Sequence, residues 1–396
     1  MPNLVIIGSG IVGLCIAREA KKKDTFDNVT IIDKEIYPGF HSTSRNSGVI
    51  HAGFYYSPDS TKAKFCSEGN SLMREYVLNN SLSYKASGKV VVSKNDKEDK
   101  IIEILGKRAV KNNCKVRVLE SKLIKNYEPK AKTNNLFLWS PNTWSASPKE
   151  VLNCLVNEIC EYGVKICLGR KVVGTKNKSV ILDNGDEIKY DFLVNASGGY
   201  ALPISKLFGI KTSYKILPFK GLYLKSKNKN DVFKTHIYPV PDINQPFLGV
   251  HTTLTSDNYL KLGPTAIPAF SPENYKIFDN LDIKLTPDIL FLQSSLFINN
   301  NFRFRDLALR EFRYLFKENI VKSAQEITNY NLKDIDFDWY SPGIRAQLYD
   351  LKKQNLENDL IIEFKDSTIH ILNSISPAWT CAFKTAQFIL NYLNEI

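Results

Sequence analysis

The sequence contains no apolar run near the roughly 20 residues that a membrane-spanning helix needs. It has no C-x-x-C pair. Its seven cysteines are Cys15, Cys66, Cys114, Cys154, Cys160, Cys167 and Cys381. That spacing offers no thiolate set to a metal, and the odd number argues against a disulfide framework. We therefore expect no metal site and a reducing compartment. Solenoid-length repeats are missing, as are collagen-like, coiled-coil and disorder-prone compositions. Only three residues precede the apolar stretch "LVIIGSG" at Leu4, so no leader is expected. Together these absences point to a cytoplasmic protein with no membrane span. Peripheral contact with a membrane stays open.

Acidic residues are outnumbered. Lysine and arginine total 53 against 41 aspartate and glutamate, for a net charge of +12. The lysines are scattered, as in "KNDKEDK" and "KSKNKND", and no basic block alternates with aromatics. Nucleic acid is therefore not an expected partner. A small anionic substrate, or loose attraction to an anionic surface, fits better. A chain of 396 residues exceeds one simple core, so two domains are expected.

The first motif is "LVIIGSGIVGLCIAREAKKK". An apolar strand meets G-x-G-x-x-G at Gly8, Gly10 and Gly13, then an amphipathic helix. A second strand, "VTIID", ends at Asp33, about 20 residues on, where a dinucleotide fingerprint has its acid. Gly8 serves the tight turn, Gly10 admits a pyrophosphate, and Gly13 lets helix and strand pack closely. The helix terminus then faces phosphate, and Asp33 accepts from a ribose hydroxyl. The fingerprint alone does not choose between NAD and FAD. A later strand, Phe192 to Asn195, runs into the small-residue turn Ala196-Ser197-Gly198-Gly199. Small residues let the chain return close to the cofactor, which favours FAD.

Further elements follow. "TKAKFCSEGNSLMREYVLNN" is a helix, and "SYKASGKVVVS" ends in a strand. "SPKEVLNCLVNEICEYG" opens with Ser147 as cap, Pro148 at the first position and Glu150 as the third-position acid. Asn184-Gly185 marks a hairpin. Residues 213–262 look β-rich, and 272–326 helical. At the end, Ser376-Pro377 is expected to cap and open a last helix.

The stretches "NSGVIHAGFYYSPDSTKAKFC", "IYPVPDINQPFLGVH", "LGPTAIPAF", "GIRAQ" and "LNSISPA" span nearly the whole chain. They resemble the L-2-hydroxyglutarate oxidase/dehydrogenase family of the D-amino-acid-oxidase-like FAD superfamily. The resemblance implies an α/β fold with a Rossmann-like FAD-binding domain of glutathione-reductase type. It also implies an α+β substrate domain on a mostly antiparallel sheet. We divide the chain into 1–84, 147–212 and 336–396 for FAD, and 85–146 and 213–335 for substrate. The implied reaction oxidises an L-2-hydroxy acid to the 2-oxo acid by hydride transfer to flavin, with oxygen or a quinone as final acceptor. One stretch departs from the family. Its "PFRG[D/E]Y" pattern reads "PFKGLYL" here, with Lys220 and Leu222 in place of arginine and acid.

Roles follow by chemistry. Arg345, in an otherwise uncharged turn, is the first candidate to grip a carboxylate, and Lys220 the second. His51 in "GVIHAG" and His251 in "LGVHTT" are candidate bases. His41, His236 and His370 are assigned structural roles. Tyr55, Tyr238 and Asn373 are candidate substrate hydrogen-bonders. Noncovalent FAD is expected on Gly8, Gly10, Ile11, Val12, Gly13, Asp33 and Lys34. It is expected next on Ser42, Ser44, Asn46 and Ser47 of "HSTSRNSGVIHAGFYY", and on Ala196, Ser197 and Gly198. The resemblance adds Val172 at the adenine. Gly343, Arg345, Ser376, Pro377 and Ala378 are expected near the ring. The alternatives are an amine or amino-acid oxidase of the same superfamily and an NAD-dependent dehydrogenase.

Overall fold

The computed structural model describes residues 2–242, 247–276 and 279–395. Residues 243–246, inside "IYPVPDINQPFLGVH", lie outside the described residues.

The opening motif folds as strand β1 (Asn3–Ile7), helix α1 (Ile11–Lys22) and strand β2 (Asn28–Ile32). β1 is a continuous apolar run because both its faces are covered. It is central in a six-stranded sheet with Phe192–Asn195 on one side and β2 on the other. Lys165–Cys167 extends the sheet beyond β2, and Thr368–Ile371 and Ile362–Lys365 extend it beyond Phe192–Asn195. Every pairing is parallel except the last hairpin.

One face carries α1, Pro148–Glu161 and the C-terminal helix Ala378–Glu395, packed through Leu14, Ile16, Leu155, Ala386 and Ile389. Each of the leucines and isoleucines among them, fully buried, stabilises the fold by about 1.5–3 kcal/mol. The other face is covered by the small meander Val172–Lys176, Ser179–Leu182 and Glu187–Lys189. Its turn lies at Asn184-Gly185, where Gly185 has φ +88°.

A second, ten-stranded sheet forms the other layer. Its longest pair joins Tyr214–Lys229 to Phe337–Asp350, antiparallel, with Phe219 opposite Arg345 and Gly221 opposite Gly343. This moves the last expected domain boundary. Phe337–Asp350 and Asn355–Leu356 belong to the second sheet, not to the nucleotide sheet. The local sequence carried no sign of this, because strand partnership is set by a segment far away in the chain.

Two helix starts illustrate how far capping chemistry reaches. Ser147 Oγ accepts from Glu150 N–H at 3.3 Å, and Pro148 begins the helix. The last helix begins one residue later than expected, at Ala378, so Pro377 precedes it. α2 (Thr61–Asn79) packs on the C-terminal helix, and α3 (Asp96–Lys111) covers the second sheet. All seven cysteines are free. Among the described residues no helix is long and apolar enough to cross a membrane.

Candidate active site

A cavity of about 780 Å³ lies between the two sheets. One end opens on the start of α1. The N-cap there is Gly10, which has no side chain to close the helix, and Gly10, Ile11 and Val12 border the cavity. Gly8 turns the chain at φ +109°, and a Cβ there would lie 2.5 Å from Ala196 O. A Cβ on Gly13 would meet Gly8 O at 2.0 Å. The turn is therefore tight enough to aim the helix terminus at the cavity, the arrangement that receives a pyrophosphate. Asp33 closes the turn from the other side. Its Oδ2 accepts from Ser9 N–H at 2.7 Å and Ser9 Oγ–H at 2.6 Å, and its Oδ1 accepts from Glu35 N–H at 2.9 Å.

Of the expected cofactor residues, Ser42, Asn46, Ser47, Ala196 and Gly198 also border the cavity. So do Gly343, Arg345, Ser376, Pro377 and Ala378. Gly8, Gly13, Asp33, Lys34, Ser44, Ser197 and Val172 do not line it. Val172 is buried under the nucleotide sheet with Val5 and Ile32. Lys34 ion-pairs Glu35 and Glu273 and lies 5.1 Å from the Tyr200 ring centroid. Glu35, His41 and Glu273 form the one cluster of metal-type ligands among the described residues. The Lys34 ammonium already bridges its two carboxylates.

The polar side chains of residues 42–47 largely hold their own loop. Ser42 Oγ donates to Ile344 O at 3.1 Å, and Ser44 Oγ to Gly39 O at 2.8 Å. Asn46 Nδ2 donates to Thr43 O at 2.7 Å, while its Oδ1 accepts from Gly48 N–H at 2.7 Å. Irregular backbone needs such partners. The residue that sequence reasoning missed there is Thr43, whose Oγ1 accepts from Ile11 N–H at 3.0 Å and so fixes the helix start.

The same cavity is bordered by His51, His251, Tyr55, Tyr238 and Arg345. His51 leaves the short strand Val49–Ile50, and its amide donates to Thr380 Oγ1 at 3.0 Å. Its Nδ1 is buried with no hydrogen-bond partner in the described structure. Burial, and then the Lys89 charge, hold the imidazole well below its usual pKa. His251 opens a strand and stacks on Tyr238, ring centroids 3.7 Å apart. Its Nδ1 lies 2.8 Å from Gly249 O. A carbonyl only accepts, so Nδ1 carries the proton and Nε2 keeps its lone pair. Burial lowers the His251 pKa to about 3, the Gly249 bond opposes this, and Lys89 lowers it further. Both histidines are neutral at pH 7, the state a base requires.

Arg345 projects from the long strand pair. Its Nε donates to Gln347 Oε1 at 2.7 Å, and its guanidinium lies 5.2 Å from the Phe247 ring centroid. Burial brings it down to about 10, against the pull of Tyr56. It remains a cation at pH 7.

Two expected substrate contacts fall elsewhere. Phe219 and Gly221 border the cavity, but Lys220 between them does not. Alternate residues of a strand face opposite sides, and the Lys220 ammonium donates to Lys276 O behind the sheet. Asn373 is wholly buried. It donates to Glu357 O at 3.0 Å and Asp359 O at 2.7 Å, and accepts from Leu348 N–H at 3.3 Å. That set holds a loop and leaves it off the cavity wall.

Two lysines were missed. Lys62 borders the cavity. Lys89 is fully buried behind Tyr55 and Tyr238. The sequence held a signal for Lys62, because it falls on the same helical face as Phe65, Cys66, Gly69 and Met73.

A family model described as FAD dependent oxidoreductase, DAO, matches residues 3–353. Mitochondrial L-2-hydroxyglutarate dehydrogenase from Mus musculus is 32% identical over 97% of this chain and 86% of its own length. L-2-hydroxyglutarate dehydrogenase from Escherichia coli K12 is 30% identical over 100% of this chain and 94% of its own. Among solved structures, L-alpha-glycerophosphate oxidase from Mycoplasma pneumoniae with FAD bound aligns at a TM-score of 0.74 and 19% identity, over 99% of this chain and 94% of that one. Glycine oxidase from Geobacillus kaustophilus aligns at 0.73 and 14%, over 100% and 95%. At such identities these two speak to the fold alone. The family match and the full-length relatives go further: the chain belongs to the DAO family of FAD-dependent oxidoreductases.

Proposed function

We propose that the protein oxidises an L-2-hydroxy acid, with L-2-hydroxyglutarate as the leading substrate, to the 2-oxo acid. The observation that carries this is one cavity bordered by a nucleotide-binding helix terminus, two neutral histidines and an arginine. The relatives' names supply the substrate class. FAD, held noncovalently, supplies a two-electron hydride acceptor when bound. Gly10, Ile11 and Val12 would hold its phosphates, and Gly343 with Ser376–Ala378 would hold its ring.

Arg345 grips a substrate carboxylate through its planar fork. His251 Nε2 takes the hydroxyl proton as the C–H bond gives up its hydride. His51 orients the same hydroxyl. Tyr55 Oη, buried without a hydrogen-bond partner in the described structure, is available to a bound polar group.

The final electron acceptor is oxygen or a quinone. A cytoplasmic location, peripheral on a membrane, suits the quinone route. Ile283, Phe291 and Ile298 are 89%, 79% and 74% exposed, and the exposed Arg303, Arg305 and Arg313 follow them in the chain. Exposed apolar side chains together with arginines suit an anionic bilayer. Vesicles with anionic lipid should pellet the protein, and failure to do so removes the membrane element.

The test of the reaction is anaerobic mixing with L- and D-2-hydroxy acids and amino acids. Bleaching of the flavin by L-2-hydroxy acids is expected, and bleaching by amino acids alone would make the protein an amine oxidase. A colourless preparation that releases no flavin sinks the proposal. His251→Asn should retain FAD and slow bleaching roughly 10²–10⁴-fold. Unchanged rates in both His51→Asn and His251→Asn would remove histidine as the base.

A further inference from the structure

Lys62 is an expensive residue that the reaction above leaves unused. It lies in the first turn of α2 at 5% exposure and borders the cavity. Burial, and then repulsion from Arg345, bring its ammonium down to about 7. The neighbouring acids Asp359 and Glu357 pull the other way but do not outweigh this, and their oxygens are engaged elsewhere. Asp359 Oδ2 accepts from Thr61 N–H at 2.8 Å, and Oδ1 accepts from the backbone N–H of Lys62 at 2.9 Å and of Leu360 at 2.8 Å. Glu357 Oε2 faces Lys353 Nζ at 3.3 Å, and Oε1 accepts from Asp359 N–H at 3.1 Å. Among the described residues the Lys62 ammonium has no hydrogen bond and no ion pair. A buried, unpaired cation at a cavity wall is a site for an anion.

A run of hydrogen bonds ties the two cations to one stretch of wall. Arg345 Nε donates to Gln347 Oε1 at 2.7 Å, and Gln347 Nε2 donates to Glu357 O. Glu357 Oε1 accepts from Asp359 N–H at 3.1 Å, and Asp359 Oδ1 accepts from the Lys62 amide at 2.9 Å. His51 and His251 border the same cavity. A 2-hydroxy monocarboxylate has one anionic group, beside the reacting carbon. A dicarboxylate has a second, one side chain away.

We propose that Lys62 and Arg345 together form the subsite for the second carboxylate of a dicarboxylate substrate. This rests on the hydroxy-acid reading and names what sets its selectivity. Arg345 supplies the directional fork and Lys62 a point charge. The bound carboxylate also relieves the repulsion between the two cations. Lys62 then regains its proton on binding, so a dicarboxylate binds with proton uptake above pH 7.

The test uses oxidised holoenzyme titrated with glutarate and with butyrate, read by perturbation of the flavin absorbance. Lys62→Met should weaken glutarate roughly 10- to 100-fold and butyrate by less than about twofold. Lys62→Arg should recover most of the glutarate affinity. With L-2-hydroxyglutarate, the half-saturating concentration should rise by the same factor while the limiting bleaching rate holds within about threefold. Equal losses for both acids in Lys62→Met overturn the proposal. Should that variant fail to retain FAD, the wild type still decides. Calorimetry at pH 8 in two buffers should show uptake of close to one proton per glutarate bound, and zero uptake overturns the subsite. If no 2-hydroxy acid bleaches the flavin yet glutarate binding depends on Lys62, the substrate reading falls and the subsite stands. Bleaching intact, with glutarate binding indifferent to Lys62, has the opposite meaning.

Discussion

Lys89 is the sharpest place to test the electrostatics. It begins the strand Lys89–Val92 and is fully buried, with no hydrogen-bond partner for its ammonium in the described structure. Among the described residues a cage of rings surrounds it. The ring centroids of Phe54, Tyr55 and Tyr238 lie 4.7, 4.5 and 4.5 Å from Nζ. Burial lowers it from 10.5 to about 7, which corresponds to about 5 kcal/mol. The rings do not restore the hydration that burial removes, so the charged lysine stands against the fold. The sign follows from linkage. Below pH 7 the group is charged both folded and unfolded, so the penalty is fully present. Between pH 7 and 10.5 the unfolded chain holds a proton that the folded chain has lost, so stability rises with pH. Above 10.5 both are neutral and the penalty is gone. Lys89→Met keeps the volume and removes the charge. Its melting temperature should exceed the wild type's by about 6 °C at pH 6, and the gap should close by pH 10.5. Thermal melts followed by flavin fluorescence read both. Because Lys89 lowers His51 and His251, the same variant should move the acidic limb of the bleaching rate to higher pH. A variant that melts below wild type at pH 6, or whose offset ignores pH, refutes the reasoning.

Gly8→Ala places a Cβ 2.5 Å from Ala196 O at φ +109°. It should cost about 3–5 kcal/mol and give colourless protein, and yellow protein with a normal melt counts against the turn's role. Lys220→Met, behind the sheet, should change half-saturation by L-2-hydroxyglutarate by less than about threefold; a large rise restores it as a substrate anchor. Asn373→Ala removes three buried hydrogen bonds. It should lose about 2–4 kcal/mol of stability with the bleaching rate of folded protein unchanged. For the wild type, half-saturation by a dicarboxylate should rise about tenfold per pH unit above 7, because Lys62 must regain a proton. Lys62→Arg should be flat over the same range.

What the sequence made legible was local. The glycines at 8, 10 and 13, the Ser147 cap and the Asn184-Gly185 turn each need only neighbours within a few residues. Backbone sterics and unsatisfied amides dictate them wherever they occur. Lys220 failed for a different reason. From Ile216 to Lys220 the strand is buried without alternation, so no hydrophobic pattern reports which residues face the cavity. Register and parity there come from pairing with Phe337–Asp350, and a one-residue slip exchanges the faces. The serines of residues 42–47 were legible only in part, since Ser42 and Ser47 border the cavity and Ser44 does not: a hydroxyl in an irregular loop serves its own backbone as readily as a ligand, and composition does not separate the two. Lys62 shows the converse. A helical stripe of Phe65, Cys66, Gly69 and Met73 that begins with lysine contains a contradiction, since burying an ammonium is unfavourable unless something repays it. That contradiction is visible without coordinates. The structure adds that Asp359, the obvious partner, has turned its oxygens to the helix amides, and the unresolved charge marks the point where the fold waits for an anion.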